Sequence, residues 1–314
     1  EKMGATIVTA GSWKLNARPN DFVLGLKELE NETIPIPQKH IYFSHSYKNQ
    51  KGAQKILKRF IAGKGQILDL EYLTDQNNKR VAAFGHWAGF IGASLGVSIW
   101  ASKYYKKPYF NNQLPLKSWS SALDLIDENI ETLNSIPISP CALIIGANGR
   151  CGRGAQLALE KLNIKTNLWG REETQSSTYL NQICNFDILV NCALLEKSSR
   201  PFINYSILKN NNILSVISDI SCDPTGPNNP IAVYNQPTTL SDPVIELSDS
   251  KVSLTAIDHL PSLLPRESSE DFAEQLLPYL KELLLNKSLS DVWRRCLDKF
   301  YNTQNKRREK TLNI

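Results

Sequence analysis

A short apolar run, Cys141-Ala-Leu-Ile-Ile145, breaks into the glycine cluster Gly146-Ala-Asn-Gly149-Arg-Cys-Gly152-Arg-Gly154. A helix-forming run, Ala155-Gln-Leu-Ala-Leu-Glu-Lys-Leu162, follows at once. That order predicts strand, tight turn, helix. Glycine suits such a turn because a side chain would keep a pyrophosphate away from the backbone amides at the helix start. The spacing is G-x-x-G-x-x-G rather than G-x-G-x-x-G, so the motif fits dinucleotide binding and also a glycine-rich turn in an ordinary α/β unit. Gly146, Gly149, Arg150, Cys151 and Gly152 are the candidate cofactor-binding residues of this loop.

A chain of 314 residues predicts two domains. With 41% hydrophobic and 21% charged residues it reads as an ordinary globular protein. The net charge of +5 owes much to the run Lys306-Arg-Arg-Glu-Lys310. Such a tail reads as a solvated helix end, which points away from nucleic acid and toward small anionic ligands. The six cysteines, at positions 141, 151, 184, 192, 222 and 296, form no C-x-x-C pair, and none has a histidine at zinc-ligand spacing. They read as reduced thiols in a cytoplasmic protein without a structural metal. Residues 81–101 carry no formal charge and are long enough to span a bilayer. Their glycines at 85, 89, 92 and 96, with His86, Ser94 and Ser98, predict instead a buried interdomain helix packed closely through its glycines.

Strands are expected at residues 4–10, 22–27, 40–45 and 66–71, and a helix at 50–62. A long apolar helix at 85–103, a loop at 104–118 and a helix at 119–134 follow. Beyond the glycine loop, strands are expected at 166–169, 187–193, 213–220 and 252–257. A turn-rich loop occupies 223–230. An amphipathic helix begins near Ser268 and buries Phe272, Leu276, Leu280 and Leu284. Alternating strands and helices imply parallel sheets. The expected architecture is α/β, with two Rossmann-like domains and the active-site cleft between them. Residues 1–84 and 266–314 form a discontinuous substrate domain, and residues 85–265 form the inserted dinucleotide-binding domain.

Several residues near predicted strand ends could carry chemistry. Lys27 can act as a base where desolvation favours its neutral form, or it can be a surface lysine. His45 holds the equivalent place in the next strand, with Tyr47 and Lys48 after it. Histidine moves protons near neutral pH with little tuning, although a lone histidine is often structural. Glu71 ends the following strand, and Arg80 precedes Val-Ala-Ala-Phe84. Arg80 and Lys48 can clamp carboxylates or form surface ion pairs. Asp258-His259 either faces ligand or caps the turn before Pro261. Asp219, at the end of a nucleotide-domain strand, is a further cofactor-binding candidate.

Together these stretches resemble the lysine-forming saccharopine dehydrogenase family, within the wider alanine-dehydrogenase-like group. The matching segments are Ala10-Gly-Ser-Trp-Lys14, Gly25-Leu-Lys-Glu28, His40-Ile-Tyr-Phe-Ser-His-Ser-Tyr-Lys48, Asp69-Leu-Glu71 and Arg80-Val-Ala-Ala-Phe-Gly85. They continue with Ile144-Ile-Gly-Ala-Asn-Gly-Arg-Cys-Gly152 and Ile257-Asp-His-Leu-Pro-Ser-Leu-Leu-Pro-Arg-Glu267. The resemblance spans nearly the whole chain, and the last segment is its most specific part. It implies NAD-linked oxidation of the secondary amine of saccharopine, then hydrolysis of the imine to lysine and 2-oxoglutarate. By position, Lys27 and His45 become the acid–base pair. Glu71 and Arg80 would contact the substrate's charged groups, with Lys48, Phe84 and Asp258 also at the substrate. The implied partners are small molecules only, with neither nucleic acid nor membrane.

Two departures stand out. The family carries an N-terminal segment, with a first strand and a substrate-binding arginine, ahead of the strand expected at the start here. The chain is therefore expected to be a fragment or to have lost part of its site. The family also places an acidic residue after the second nucleotide strand. Here Trp169-Gly170-Arg171 puts glycine at that place, with Glu172 and Glu173 behind it. NAD remains the expected cofactor, while Arg171 leaves NADP open. Another amino-acid dehydrogenase of the group and a non-catalytic dinucleotide-binding remnant are the alternatives. Cys151 and Cys192 both fall near carboxyl ends of nucleotide-domain strands. They either meet and form a reversible disulfide that obstructs the loop, or remain separate thiols.

Overall fold

A computed structural model describes residues 5–27, 29–30, 32–47, 52–106, 116–176, 180–195, 200–209, 211–247, 250–285 and 288–312, the side chains of 305–312 excepted. The chain divides into two compact units, Glu1–Ala83 with Ala273–Ile314, and Phe84–Phe272.

The first unit opens with a helical turn, α1 (Trp13–Asn16), and carries a parallel sheet of β1 (Phe22–Leu24), β2 (Lys39–Tyr42) and β3 (Gln66–Asp69) in that order. Parallel neighbours need a crossover, and α2 (Ala53–Gly63) supplies the one between β2 and β3. The registers Leu24↔Ile41 and Tyr42↔Asp69 bring the carboxyl ends of the strands to one edge. Ile36, Tyr42, Leu57, Phe60 and Ile67 form the core with Phe300 of the helix Asp291–Leu312. Residues 5–9 form no strand, and Ile7 and Val8 are exposed. Apolar β-branched residues favour a strand only where a neighbour completes the hydrogen-bond ladder.

The second unit is a doubly wound sheet in the order β10-β11-β8-β6-β4-β5. Its strands are β4 (Cys141–Ile145), β5 (Lys165–Trp169), β6 (Ile188–Asn191), β8 (Val216–Asp219), β10 (Ile245–Leu247) and β11 (Val252–Thr255). All pair in parallel except the edge strand β10, and a separate short parallel pair joins β7 (Ile203–Asn204) to β9 (Ile231–Ala232). Both faces are covered, so the strands read as continuous apolar runs rather than alternating ones. Ala142, Ile144, Ile188, Val190 and Val216 pack into one core, and Leu143, Ile145, Leu189 and Ile217 into the other.

The long apolar helix is α3 (Gly85–Tyr104), and α4 (Ala122–Asn134) follows it. Buried residues of α3, among them Phe90, Ile91, Leu95 and Val97, belong to the core of this unit. It crosses α5 (Arg150–Lys161), the helix of the glycine loop, through glycines on both sides. A Cβ at Gly89 would overlap the Cys151 carbonyl oxygen, and one at Gly154 would overlap that of His86. No described helix is long and apolar enough to cross a membrane. In the helix Pro265–Leu285 the buried leucines are Leu276 and Leu283, whereas Leu284, expected inside, is 69% exposed. At 3.6 residues per turn a step of seven returns to within about 20° of the same face, and a step of eight misses it by about 80°.

Candidate functional site

The glycine loop folds as its sequence requires. Gly146 has φ +80°, a left-handed conformation natural only to glycine, and its N–H donates to Trp169 O at 2.9 Å. A Cβ on Gly146 would also press to 3.0 Å against Cys192 and Ala193, and one on Gly152 would overlap the Gly146 carbonyl oxygen. The turn thus sits directly on the start of α5, where the first helical N–H groups lack intrahelical acceptors. Gln156 Nε2 donates to Ala147 O at 2.7 Å and holds the turn from behind.

A cleft of about 960 Å³ opens beside this turn. Ile145 and Gly146 line it from the end of β4, Cys192 and Ala193 from the end of β6, and Gly170 and Arg171 from the end of β5. From β4 the chain turns one way to β5 and then crosses back to β6. The cleft therefore lies at the topological switch point of the sheet, where open α/β folds hold their ligands. Asn148, Thr174, Gln175, Asn181, Arg200 and Asn204 add polar side chains to its lining. The residues fit a nicotinamide dinucleotide, because the glycines leave the helix start open to a pyrophosphate.

Of the expected cofactor residues, Gly146, Gly149 and Arg171 line the cleft. Arg150, Cys151 and Gly152 form the first turn of α5 behind it. Asp219 does not line it. Its carboxylate is buried, accepting from Asn191 Nδ2 at 2.9 Å, Ser221 Oγ at 2.6 Å and Tyr234 Oη at 2.7 Å. It ties together the carboxyl ends of β6 and β8. Asp258 is exposed, and burial together with the charges of Asp258, Asp219 and Asp223 pushes the Cys222 thiol up to about 12. The neighbouring Cys151 thiol and burial hold the Cys192 thiol well above its ordinary range. Among the polar lining residues, sequence reasoning missed Asn148, Thr174, Gln175, Asn181, Arg200 and Asn204. Only Asn148, inside the glycine loop, carried a local signal.

Of the other candidates, Lys27, His45, Lys48, Glu71 and Arg80 belong to the first unit. Lys27 is exposed beyond β1, and His45 is half-buried beyond β2. The ladder continues past the strands, with Gly25 N donating to Ile41 O at 2.9 Å and Phe43 N to Leu26 O at 3.0 Å, so the two segments run side by side. His45 has φ +50°, an uncommon conformation for a residue with a side chain. Asp69, at the end of β3, is fully buried and anchors this edge. It accepts from Ser44 Oγ at 2.5 Å and from the Glu71 N–H at 2.9 Å, so one carboxylate braces the loops of both His45 and Glu71. Burial raises the Asp69 carboxyl above its ordinary value, against those two hydrogen bonds. Arg80 pairs with Thr74 across a short antiparallel bridge. Phe84 belongs to the second unit, where its ring stacks on Phe272 at 4.4 Å. Lys48 lies outside the described residues.

Residues 1–91 match the N-terminal domain of the alanine dehydrogenase/PNT family and residues 120–307 its C-terminal domain. Saccharopine dehydrogenase (NAD+, L-lysine-forming) of Yarrowia lipolytica is 41% identical over 304 residues, 93% of this chain and 82% of that protein. The Candida albicans protein of the same name is 42% identical, over 96% of this chain and 84% of its own. The chain belongs to the lysine-forming saccharopine dehydrogenase family. Among solved structures, L-alanine dehydrogenase shares the fold with a TM-score of 0.60 at 14% identity, covering 91% of this chain and 76% of its own. A transhydrogenase from Sinorhizobium meliloti does so with a TM-score of 0.55 at 14% identity, covering 94% of this chain and 82% of its own. The α/β class, the parallel sheets and the two-domain dehydrogenase architecture follow.

Proposed function

We infer that this protein is an oxidoreductase that cleaves saccharopine, reversibly, to L-lysine and 2-oxoglutarate with reduction of NAD. The observation that carries the reading is 41% identity sustained over 93% of the chain to a protein of that name. Identity of that extent does not favour another amino-acid dehydrogenase or a non-catalytic remnant. The open glycine loop and the cleft beside it support the dinucleotide. NAD supplies the two-electron acceptor. Lys27 takes the proton from the substrate's secondary amine. His45 serves the water that adds to the imine, and the carbinolamine then breaks its C–N bond to release lysine. Glu71, Arg80, Lys48, Phe84 and Asp258 hold the substrate, whose three carboxylates suit cationic partners. The six free thiols suit a reducing compartment, and we place the protein in the cytoplasm.

The test is direct. Purified protein given saccharopine and NAD should form NADH, lysine and 2-oxoglutarate in equal amounts, and alanine should not replace saccharopine. NADH formation from alanine and none from saccharopine would overturn the assignment.

A further inference from the structure

We propose that the cleft of the second unit accepts the 2′-phosphorylated dinucleotide, NADP(H), alongside NAD(H). The inference rests on the dinucleotide reading above and concerns what the cleft recognises at the adenosine ribose.

The deciding position follows β5. Dinucleotide folds place there either a carboxylate, which bonds the ribose 2′-hydroxyl, or an arginine nearby, which takes a 2′-phosphate. This chain has Gly170 and then Arg171, and both line the cleft. Nothing in the fold demands glycine at 170. Its φ of −107° and ψ of −149° lie outside the left-handed region. A Cβ would meet only Asn148 Nδ2 at 3.5 Å and Glu173 Oε2 at 3.7 Å, both ordinary contacts. An aspartate could stand here, so its absence is not forced by packing. Glycine instead leaves the space beside this wall of the cleft without a carboxylate.

The charges around that space agree. Among the described residues lining the cleft are two cations, Arg171 and Arg200, and no aspartate or glutamate. The neighbouring carboxylate, Glu173, is engaged elsewhere. Its Oε2 accepts the Gly170 N–H at 2.8 Å, capping the short helix Arg171–Gln175, and it does not line the cleft. A site built for a free 2′-hydroxyl presents an acceptor to it. This one presents arginine together with the uncharged polar groups of Asn148 and Thr174. A 2′-phosphate adds up to two negative charges and three acceptor oxygens, which guanidinium groups match.

Binding, not turnover, tests this. The purified protein is titrated with NADH and NADPH, and with the nicotinamide-free fragments AMP and 2′,5′-ADP, by fluorescence and calorimetry. NADPH should bind within about tenfold of NADH, and 2′,5′-ADP more tightly than AMP, since one charge-assisted hydrogen bond is worth roughly ten- to hundredfold. Arg171→Glu, at an exposed side chain, should lower the affinity ratio of 2′,5′-ADP to AMP by about tenfold or more. Gly170→Asp should shift the same ratio the same way. NADPH binding more than about tenfold weaker than NADH, or an unchanged fragment ratio in Arg171→Glu, overturns the inference and leaves the NAD reading standing. Failure of every dinucleotide and fragment to bind overturns both.

Discussion

His40 is 1% exposed, and its ring stands edge-on to Trp13, Tyr42 and Phe60 with centroids 4.7, 5.9 and 5.2 Å away. Its Nε2 has no hydrogen-bond partner among the described residues. Burial, with the charge of Arg59 second, lowers its pKa from 6.5 to about 4. The folded protein therefore keeps His40 neutral while the unfolded chain takes up a proton first. The stability this contributes is complete above pH 6.5 and is lost as pH falls toward 4. At 1.36 kcal/mol per pKa unit the contribution is about 3 kcal/mol. Urea midpoints measured from pH 7 down to pH 4 should fall less steeply for His40→Phe than for wild type; parallel slopes would show that His40 does not set the dependence. Cys151 and Cys192, neighbouring thiols beyond the carboxyl ends of β4 and β6, make a second residue-scale device. Diamide should take two hydrogens from the pair, form a disulfide and weaken NADH binding, with dithiothreitol restoring it. Oxidised protein that binds NADH as reduced protein does, or Cys192→Ser protein that responds like wild type, would contradict this.

Between elements, the crossing of α3 and α5 sets how close the glycine loop lies to its support. Gly154 packs onto the His86 carbonyl, so alanine there forces two helices apart. Alanine gains about 1 kcal/mol of helix propensity over glycine. Overpacking against backbone costs roughly 1–3 kcal/mol or more and cannot be relieved by a rotamer change. Gly96 faces softer neighbours, with a Cβ 3.3 Å from Ile188 Cγ2 and 3.5 Å from Ser218 Cβ. Gly154→Ala should lower the urea midpoint clearly and weaken NADH binding, because the displaced helix carries Cys151 and the loop with it. Gly96→Ala should stay within about 1 kcal/mol of wild type. Equal effects at both positions would mean that the crossing is not tightly constrained.

At the scale of the molecule the candidate residues fall on separate units. The acid–base candidates stand on the first unit, and the dinucleotide cleft belongs to the second. Changes in one should therefore separate from changes in the other. Lys27→Met and His45→Gln should each lower turnover by about 10²–10⁴-fold while the NADH dissociation constant holds. Gly146→Ala, by contrast, strains a left-handed turn against Cys192 and should weaken NADH binding first. Turnover close to wild type in both Lys27→Met and His45→Gln would remove these residues from the mechanism.

Sequence alone determined the features that depend on near neighbours in the chain. The apolar run ending at Ile145, the left-handed Gly146 and the helix behind them were legible because strand, turn and helix obey local rules of spacing and backbone freedom. The uncharged stretch of α3 was legible as buried because its glycines mark a close crossing, though not which helix it would cross. Tertiary structure decided whatever joins distant residues. Arg200 reaches the cleft only through the return of the chain after β6, and no local pattern announces it. Asp69 reads in sequence as a strand end, yet it is the brace between the His45 and Glu71 loops. Asp219 reads as a cofactor ligand, yet it closes a hydrogen-bond network between strands. A buried carboxylate takes its role from whichever donors surround it, and for Asp219 the donors from Asn191 and Tyr234 are brought there only when the chain folds.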